Sequence, residues 1–176
     1  MAQEYETQVL DINVNEIEKK LRDLGAKEDP EVFQKRWVFY IDEASWIRLR
    51  QVGERVNLCY KNRPDTAIAG TEEIEVEVKD FDKTSQLISK LDFYYDQYYQ
   101  ENKRKLFTLD GVEVSIDSWP QIPPYLEIDA SSEKKVKETL KKLGLEGKDV
   151  GHMGTNKIYA KYGIDLHANK ELTFSK

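Results

Sequence analysis

The chain has 176 residues, with 27 Lys plus Arg against 33 Asp plus Glu and a formal net charge of −6. Its single cysteine and two histidines exclude a disulfide framework, a Cys/His zinc cluster and any site built from several imidazoles. The acidic balance argues against nucleic acid as a partner, and no apolar run approaches the roughly 18 residues of a membrane span.

The length predicts one domain, residues 1–176, and nothing along it reads as a linker. A free Cys59 and a start without a cationic-then-apolar leader fit a reducing cytoplasm. Alternation of period two marks residues 3–10 as the first strand. Val14, Ile17, Leu21 and Leu24 then form a helical stripe, with Asn13 and Glu16 as a capping pair and Gly25 at the stop. Residues 33–41, 45–51, 55–63 and 71–79 alternate again, ahead of a second helix over about 82–91. After further strands at 95–109, 111–118 and 124–130, Ser131-Ser132 opens a third helix. Val136, Leu140 and Leu143 share its face, and it ends at Gly144. A short fourth helix is predicted over 155–162. There is also a loose echo: Glu4-Tyr5-Glu6 precedes a helix ending Leu-Gly-Ala, and Glu127-Ile128-Asp129 precedes one ending Leu-Gly-Leu. The spacings differ, so chance similarity stands beside an old duplication.

Because successive strand residues point to opposite faces, parity separates an apolar side from a charged one. Ile47 and Leu49 oppose Arg48 and Arg50; Leu58 and Tyr60 oppose Cys59, Lys61 and Arg63; Ile74, Val76 and Val78 oppose Glu73, Glu75 and Glu77. Val112, Val114 and Ile116 oppose Glu113, Ser115 and Asp117, while Leu126 and Ile128 oppose Tyr125, Glu127 and Asp129. The commonest source of such alternation is an antiparallel sheet wetted on one face. Segregation by sign points elsewhere, because like charges on one strand repel and a merely solvated face gains nothing from clustering them. A closed sheet with its charged face inward and helices outside makes a ligand tunnel. Acidic strands would hold cations there and basic strands an anion. Carboxylates without His or Cys suit Mg²⁺ or Mn²⁺, and clustered Arg and Lys suit phosphoryl oxygens. No Walker loop or dinucleotide glycine fingerprint is present, so side chains must supply the phosphate contacts.

The ordered set Glu4-Tyr5-Glu6, Ile47-Arg48-Leu49-Arg50, Tyr60-Lys61, Glu73-Ile74-Glu75-Val76-Glu77, Asn102-Lys103-Arg104, Val114-Ser115-Ile116-Asp117 and Leu126-Glu127-Ile128-Asp129 resembles the CYTH superfamily. These triphosphate tunnel metalloenzymes include class IV adenylyl cyclases, thiamine triphosphatases and inorganic triphosphatases. The resemblance spans about residues 3–162. It implies an α+β fold, an antiparallel eight-stranded tunnel barrel with helices outside, binding a small-molecule triphosphate through Mg²⁺ or Mn²⁺. By family pattern Glu4 and Glu6 are the catalytic carboxylates and, with Asp117, Glu127 and Asp129, the metal ligands. Arg48, Arg50, Lys61 and Arg104 form the phosphate clamp. Arg104 is preferred to Lys103 and Lys105 because the family's basic residue sits three before an aromatic, here Phe107.

Three departures stand out. Gln8 replaces the lysine of the Glu-x-Glu-x-Lys signature, Asn102 occupies a position often basic, and Arg36 lies where an acidic residue is common. The expected reaction is in-line hydrolysis of a triphosphate. A class IV cyclase making cyclic AMP and pyrophosphate, and a module that binds polyphosphate without turnover, are the alternatives. His152 and His167 read as surface histidines without a role, Trp37, Trp46 and Trp119 as packing residues, and Cys59 as either a tunnel-lining thiol or a small buried hydrophobe. The Tyr94, Tyr95, Tyr98 and Tyr99 block reads as a strand edge or a homodimer contact.

Overall fold

The computed structural model describes residues 5–62 and 72–174. In chain order the elements are β1 (Tyr5–Val9), α1 (Val14–Asp23), β2 (Lys27–Glu28), β3 (Val32–Tyr40), β4 (Ser45–Val52), β5 (Arg55–Asn62), β6 (Glu72–Val78) and α2 (Phe81–Ile88). There follow β7 (Asp96–Leu109), β8 (Val112–Ser118), β9 (Tyr125–Ala130), α3 (Glu133–Leu143), α4 (Thr155–Lys161) and β10 (Glu171–Leu172). Asn13, Asp80 and Ser132 cap α1, α2 and α3 by accepting from the backbone N–H of Glu16, Lys83 and Lys135. Gly144, at φ 68°, ends α3 in the left-handed conformation that glycine adopts without penalty. By contact density the chain forms two compact units, Met1–Val32 with Lys103–Leu166 and Phe33–Asn102 with His167–Lys176.

In the first unit the strand order is β1, β9, β8 and the second half of β7, all antiparallel, with β2 also against β7. Asp110 and Gly111, both at positive φ (53° and 75°), make the two-residue turn between β7 and β8. That turn pairs Leu109 with Val112 and therefore, five residues further along each strand, Arg104 with Asp117. Val9, Phe107, Val114, Leu126 and Ile128 line the face that packs on Ile17 and Leu21 of α1 and on Val136, Leu140 and Leu143 of α3. Each such fully buried side chain stabilises the fold by roughly 1.5–3 kcal/mol. The internal echo has a structural counterpart. β1–α1 and β9–α3 lie side by side, with Glu6 opposite Asp129 and Lys20 Nζ donating to the Leu143 carbonyl at 3.0 Å.

In the second unit the order is the first half of β7, β3, β4, β5 and β6, with β10 pairing parallel to β7. Gly53, at φ 59°, sits in the β4–β5 turn and sets the register that places Arg50 opposite Asn57, Arg48 opposite Cys59 and Trp46 opposite Lys61. Leu49, Val56 and Phe81 form the core, with Trp37, Leu58, Val78 and Tyr99 packed on it. The tyrosine block is mostly internal: Tyr94 packs on Phe39, Tyr99 on Trp37, and Tyr98 is buried, leaving Tyr95 exposed. The two-residue strands β2 and β10 are too short for any periodicity to announce. No helix among the described residues is long and apolar enough to cross a membrane.

Candidate functional site

In the first unit, the even residues of β1 and the odd residues of β8 and β9 share the sheet face opposite the helices. Arg104 joins them, since Phe107, fully buried, faces the core. Arg104 grips Asp117 bidentately, Nε to Oδ1 at 2.8 Å and Nη2 to Oδ2 at 2.6 Å, and reaches Glu127 Oε1 at 2.9 Å. Asp117 has no exposed surface. Both of its oxygens are committed to the guanidinium.

Gln8, also without exposed surface, links three groups. Its Nε2 donates to Glu6 Oε1 at 2.5 Å and to Glu127 Oε2 at 3.2 Å, while its Oε1 accepts from the Met153 backbone N–H at 2.6 Å. Carboxylates only accept and a backbone N–H only donates, so an amide serves all three where a lysine would serve two. Burial, then the charge of Glu127 and a hydrogen bond with it, then Asp129, push the Glu6 carboxyl up to about 8, against a weaker opposing pull from Arg104. Burial, then Asp117 and Glu127, push the Tyr125 hydroxyl up as well. Glu6, Glu127 and Asp129 gather three carboxylates on this face. An oxygen-only set of this kind fits a hard divalent cation, which would take the place of the proton.

In the second unit, Arg36, Arg48, Arg50 and Lys61 share one face of β3, β4 and β5. Glu73 and Glu75 on β6 supply counter-charge, Glu73 to Lys61 at 2.9 Å and Glu75 to Arg48 at 3.7 Å. The two departures Arg36 and Asn102 are one pair, since Arg36 Nη2 donates to Asn102 Oδ1. Arg48 Nε is buried and has no hydrogen-bond partner among the described residues. A buried donor in that condition costs free energy that an incoming oxygen anion would recover. Arg50, Arg55, Gln34 and Asn57 line a cavity of about 580 Å³ on this unit. Cys59 lies on the same face, fully buried, and donates to Glu73 Oε1 at 3.1 Å; burial and Glu73 push its thiol up to about 11, so it is a neutral donor.

Glu4 and Arg63 lie outside the described residues. Sequence reasoning missed His152, whose Nδ1 sits 3.0 Å from Glu6 Oε2, and it missed the linking role of Gln8. Periodicity carries no signal for either: His152 is in a loop, and hydrogen bonds made by a side chain leave no trace in spacing.

An antiparallel sheet backed by helices, carrying carboxylates in the first unit and cations in the second, agrees with what the resemblance to the triphosphate tunnel proteins implies. The CYTH domain model matches residues 2–158, and the chain belongs to that family. Among solved structures it is similar to the PH1012 protein of Pyrococcus horikoshii OT3, at 21% identity and TM-score 0.68, covering 85% of this chain and 96% of that one. A Vibrio parahaemolyticus protein proposed to be an adenylate cyclase aligns at 10% identity and TM-score 0.67, covering 89% and 97%. Hippeastrum HpAC1, proposed as an adenylyl cyclase and found to have a dominant triphosphatase activity, aligns at 14% identity and TM-score 0.56, covering 91% and 95%. At these identities the likeness concerns the fold. Among curated proteins nothing matches.

Proposed function

We propose that this protein is a divalent-metal-dependent triphosphatase that cleaves a linear triphosphate, inorganic or carried by a nucleoside or thiamine, in a reducing cytoplasm. Glu4, Glu6, Glu127 and Asp129 would hold Mg²⁺ or Mn²⁺. Arg48, Arg50 and Lys61 would take the phosphoryl oxygens, with Arg36 as a further cation. Asp117 is assigned here to holding Arg104 rather than the metal, because Arg104 engages both its oxygens. Arg104 is kept as a phosphate contact, its side chain being 38% exposed as a whole. The bound cation supplies neutralisation of phosphoryl charge and acidification of water. Burial and Glu127 raise the Glu6 carboxyl, so a cation bound there would compete with the proton. The arginines orient the chain of phosphates for in-line attack.

The observation that carries this reading is the gathering of Glu6, Glu127 and Asp129 on one face of β1 and β9, with Glu6 opposite Asp129 and the Gln8 amide shared between Glu6 and Glu127. Such crowding of carboxylates is costly unless a cation occupies the face. The test is phosphate release from tripolyphosphate and from ATP with Mg²⁺ or Mn²⁺, beside a Glu6→Ala variant. Metal-dependent release abolished by the substitution is the expected result. Cyclic AMP with stoichiometric pyrophosphate would make the protein a cyclase instead. Saturable binding without product would make it a binding module, the reading that the Gln8 replacement favours.

A further inference from the structure

Outside the strands, one segment of the first unit reaches the carboxylate face. Residues 149–153 run beside β1: the Val150 N–H donates to the Gln8 carbonyl at 2.9 Å, the Gln8 N–H to the Gly151 carbonyl at 3.2 Å, and the Met153 N–H to Gln8 Oε1 at 2.6 Å. Thr7 Oγ1 adds a bond to Asp149 Oδ2 at 3.1 Å. The segment is therefore tied down on both sides of His152, whose Nδ1 lies 3.0 Å from Glu6 Oε2. Glu6 Oε1 accepts from Gln8 Nε2, so each oxygen of this side chain has its own neighbour, Gln8 on one side and His152 on the other.

Asp117 is gripped by Arg104, and Glu127 by Arg104 and Gln8. Ionised Glu6 is repelled by Glu127 and Asp129 on the adjacent strand, which favours rotation of its side chain away from them. A pair as exposed as this one, with the imidazole at 61%, contributes little when both partners must be ordered to make it. Here the backbone bonds have already ordered the segment. An Nδ1–H donated to one carboxylate oxygen leaves the remaining lone pairs open to a cation.

We propose that His152 is a positioning residue that fixes the Glu6 carboxylate for divalent-cation binding, with residues 149–153 as its carrier. The proposal rests on the metal-dependent reading of the same face. Its test is a Mn²⁺ titration followed by the electron paramagnetic resonance signal of the free ion, which needs no turnover, on the wild type, His152→Ala and His152→Asn. Loss of an outer partner of this kind is expected to weaken Mn²⁺ binding about tenfold in His152→Ala. His152→Asn, whose amide nitrogen falls near the place of Nδ1, is expected to recover most of the affinity. In turnover, the Mn²⁺ concentration needed for half-maximal rate should rise in step while kcat at saturating Mn²⁺ holds. Equal Mn²⁺ affinity in the wild type and His152→Ala would overturn the proposal, as would an Asn variant as weak as the Ala variant. A wild type that binds no Mn²⁺ is a separate outcome; it defeats the metal reading itself and this proposal with it.

Discussion

Gln8 Nε2 donates to Glu6 Oε1 at 2.5 Å from a side chain with no exposed surface. The signature lysine of the family would meet the same two carboxylates but offers nothing to the Met153 N–H, which Gln8 Oε1 satisfies. Where the family signature places a cation available to phosphate, this chain has an amide bonded to Glu6, Glu127 and the Met153 backbone.

Replacing Gln8 with leucine removes the shared donor of Glu6 and Glu127 and leaves the Met153 N–H without its acceptor. Unmaking bonds around a buried polar group costs about 1–3 kcal/mol. Urea unfolding should show a lowered midpoint of that size at unchanged slope. An unaltered midpoint would mean that the amide does not hold the face together.

The pH dependence of stability has a definite sign. Glu6 rises from an ordinary value of 4.5 to about 8 in the folded protein, so between those limits the native state binds the proton that the unfolded chain has lost. Its contribution is fully present below the unfolded value and disappears as pH rises through the folded one. Without divalent metal, melting temperature should fall between about pH 5 and pH 8, and Glu6→Gln should flatten that fall. With Mn²⁺ the trend should weaken or reverse, since the cation competes with the proton and its affinity grows as Glu6 deprotonates. A metal-free melting curve independent of pH in this window would remove the crowded-carboxylate description.

Arg104→Ala should be among the most damaging single changes in the first unit. It strips two charge-assisted bonds from Asp117, a carboxylate with no exposed surface, and one from Glu127. Breaking a buried ion pair from one side costs about 3–5 kcal/mol. Arg104→Lys keeps the charge but cannot form the fork, so its loss should be intermediate. Asp117→Asn, which leaves a neutral partner beside the arginine, should lose less than Arg104→Ala, as read by the midpoint of urea unfolding.

The strands and helices were legible in the sequence because each buries one face and wets the other: the alternating runs correspond to β1 and β3–β9, and the capped, glycine-stopped stripes to α1 and α3. Parity also sorted the charged residues, since an even spacing within a strand forces one face. What spacing does not encode is which side chains meet across strands. The Arg104–Asp117 pair depends on the Asp110-Gly111 turn fixing register, and the Arg36–Asn102 pair on two residues far apart in the chain. His152 lies further still from any pattern, because its position follows from backbone bonds between a loop and β1.

The cations of the second unit provide a test that separates anion from metal binding. Arg48, Arg50 and Lys61 share a face of β4 and β5, and the Nε of Arg48 is buried without a hydrogen-bond partner among the described residues. A charged hydrogen bond to a phosphoryl oxygen contributes about 1.5–3 kcal/mol, so Arg48→Ala or Arg50→Ala should weaken tripolyphosphate binding by at least about tenfold. Lys61→Ala should cost less, because the ammonium makes a single point contact where a guanidinium makes two. All three lie on strands of the second unit and none is a proposed cation ligand, so Mn²⁺ binding measured without phosphate should be unchanged. Calorimetric titration of each variant with tripolyphosphate and, separately, with Mn²⁺ reads both quantities. Retained tripolyphosphate affinity in both arginine variants would dismiss this face as the clamp.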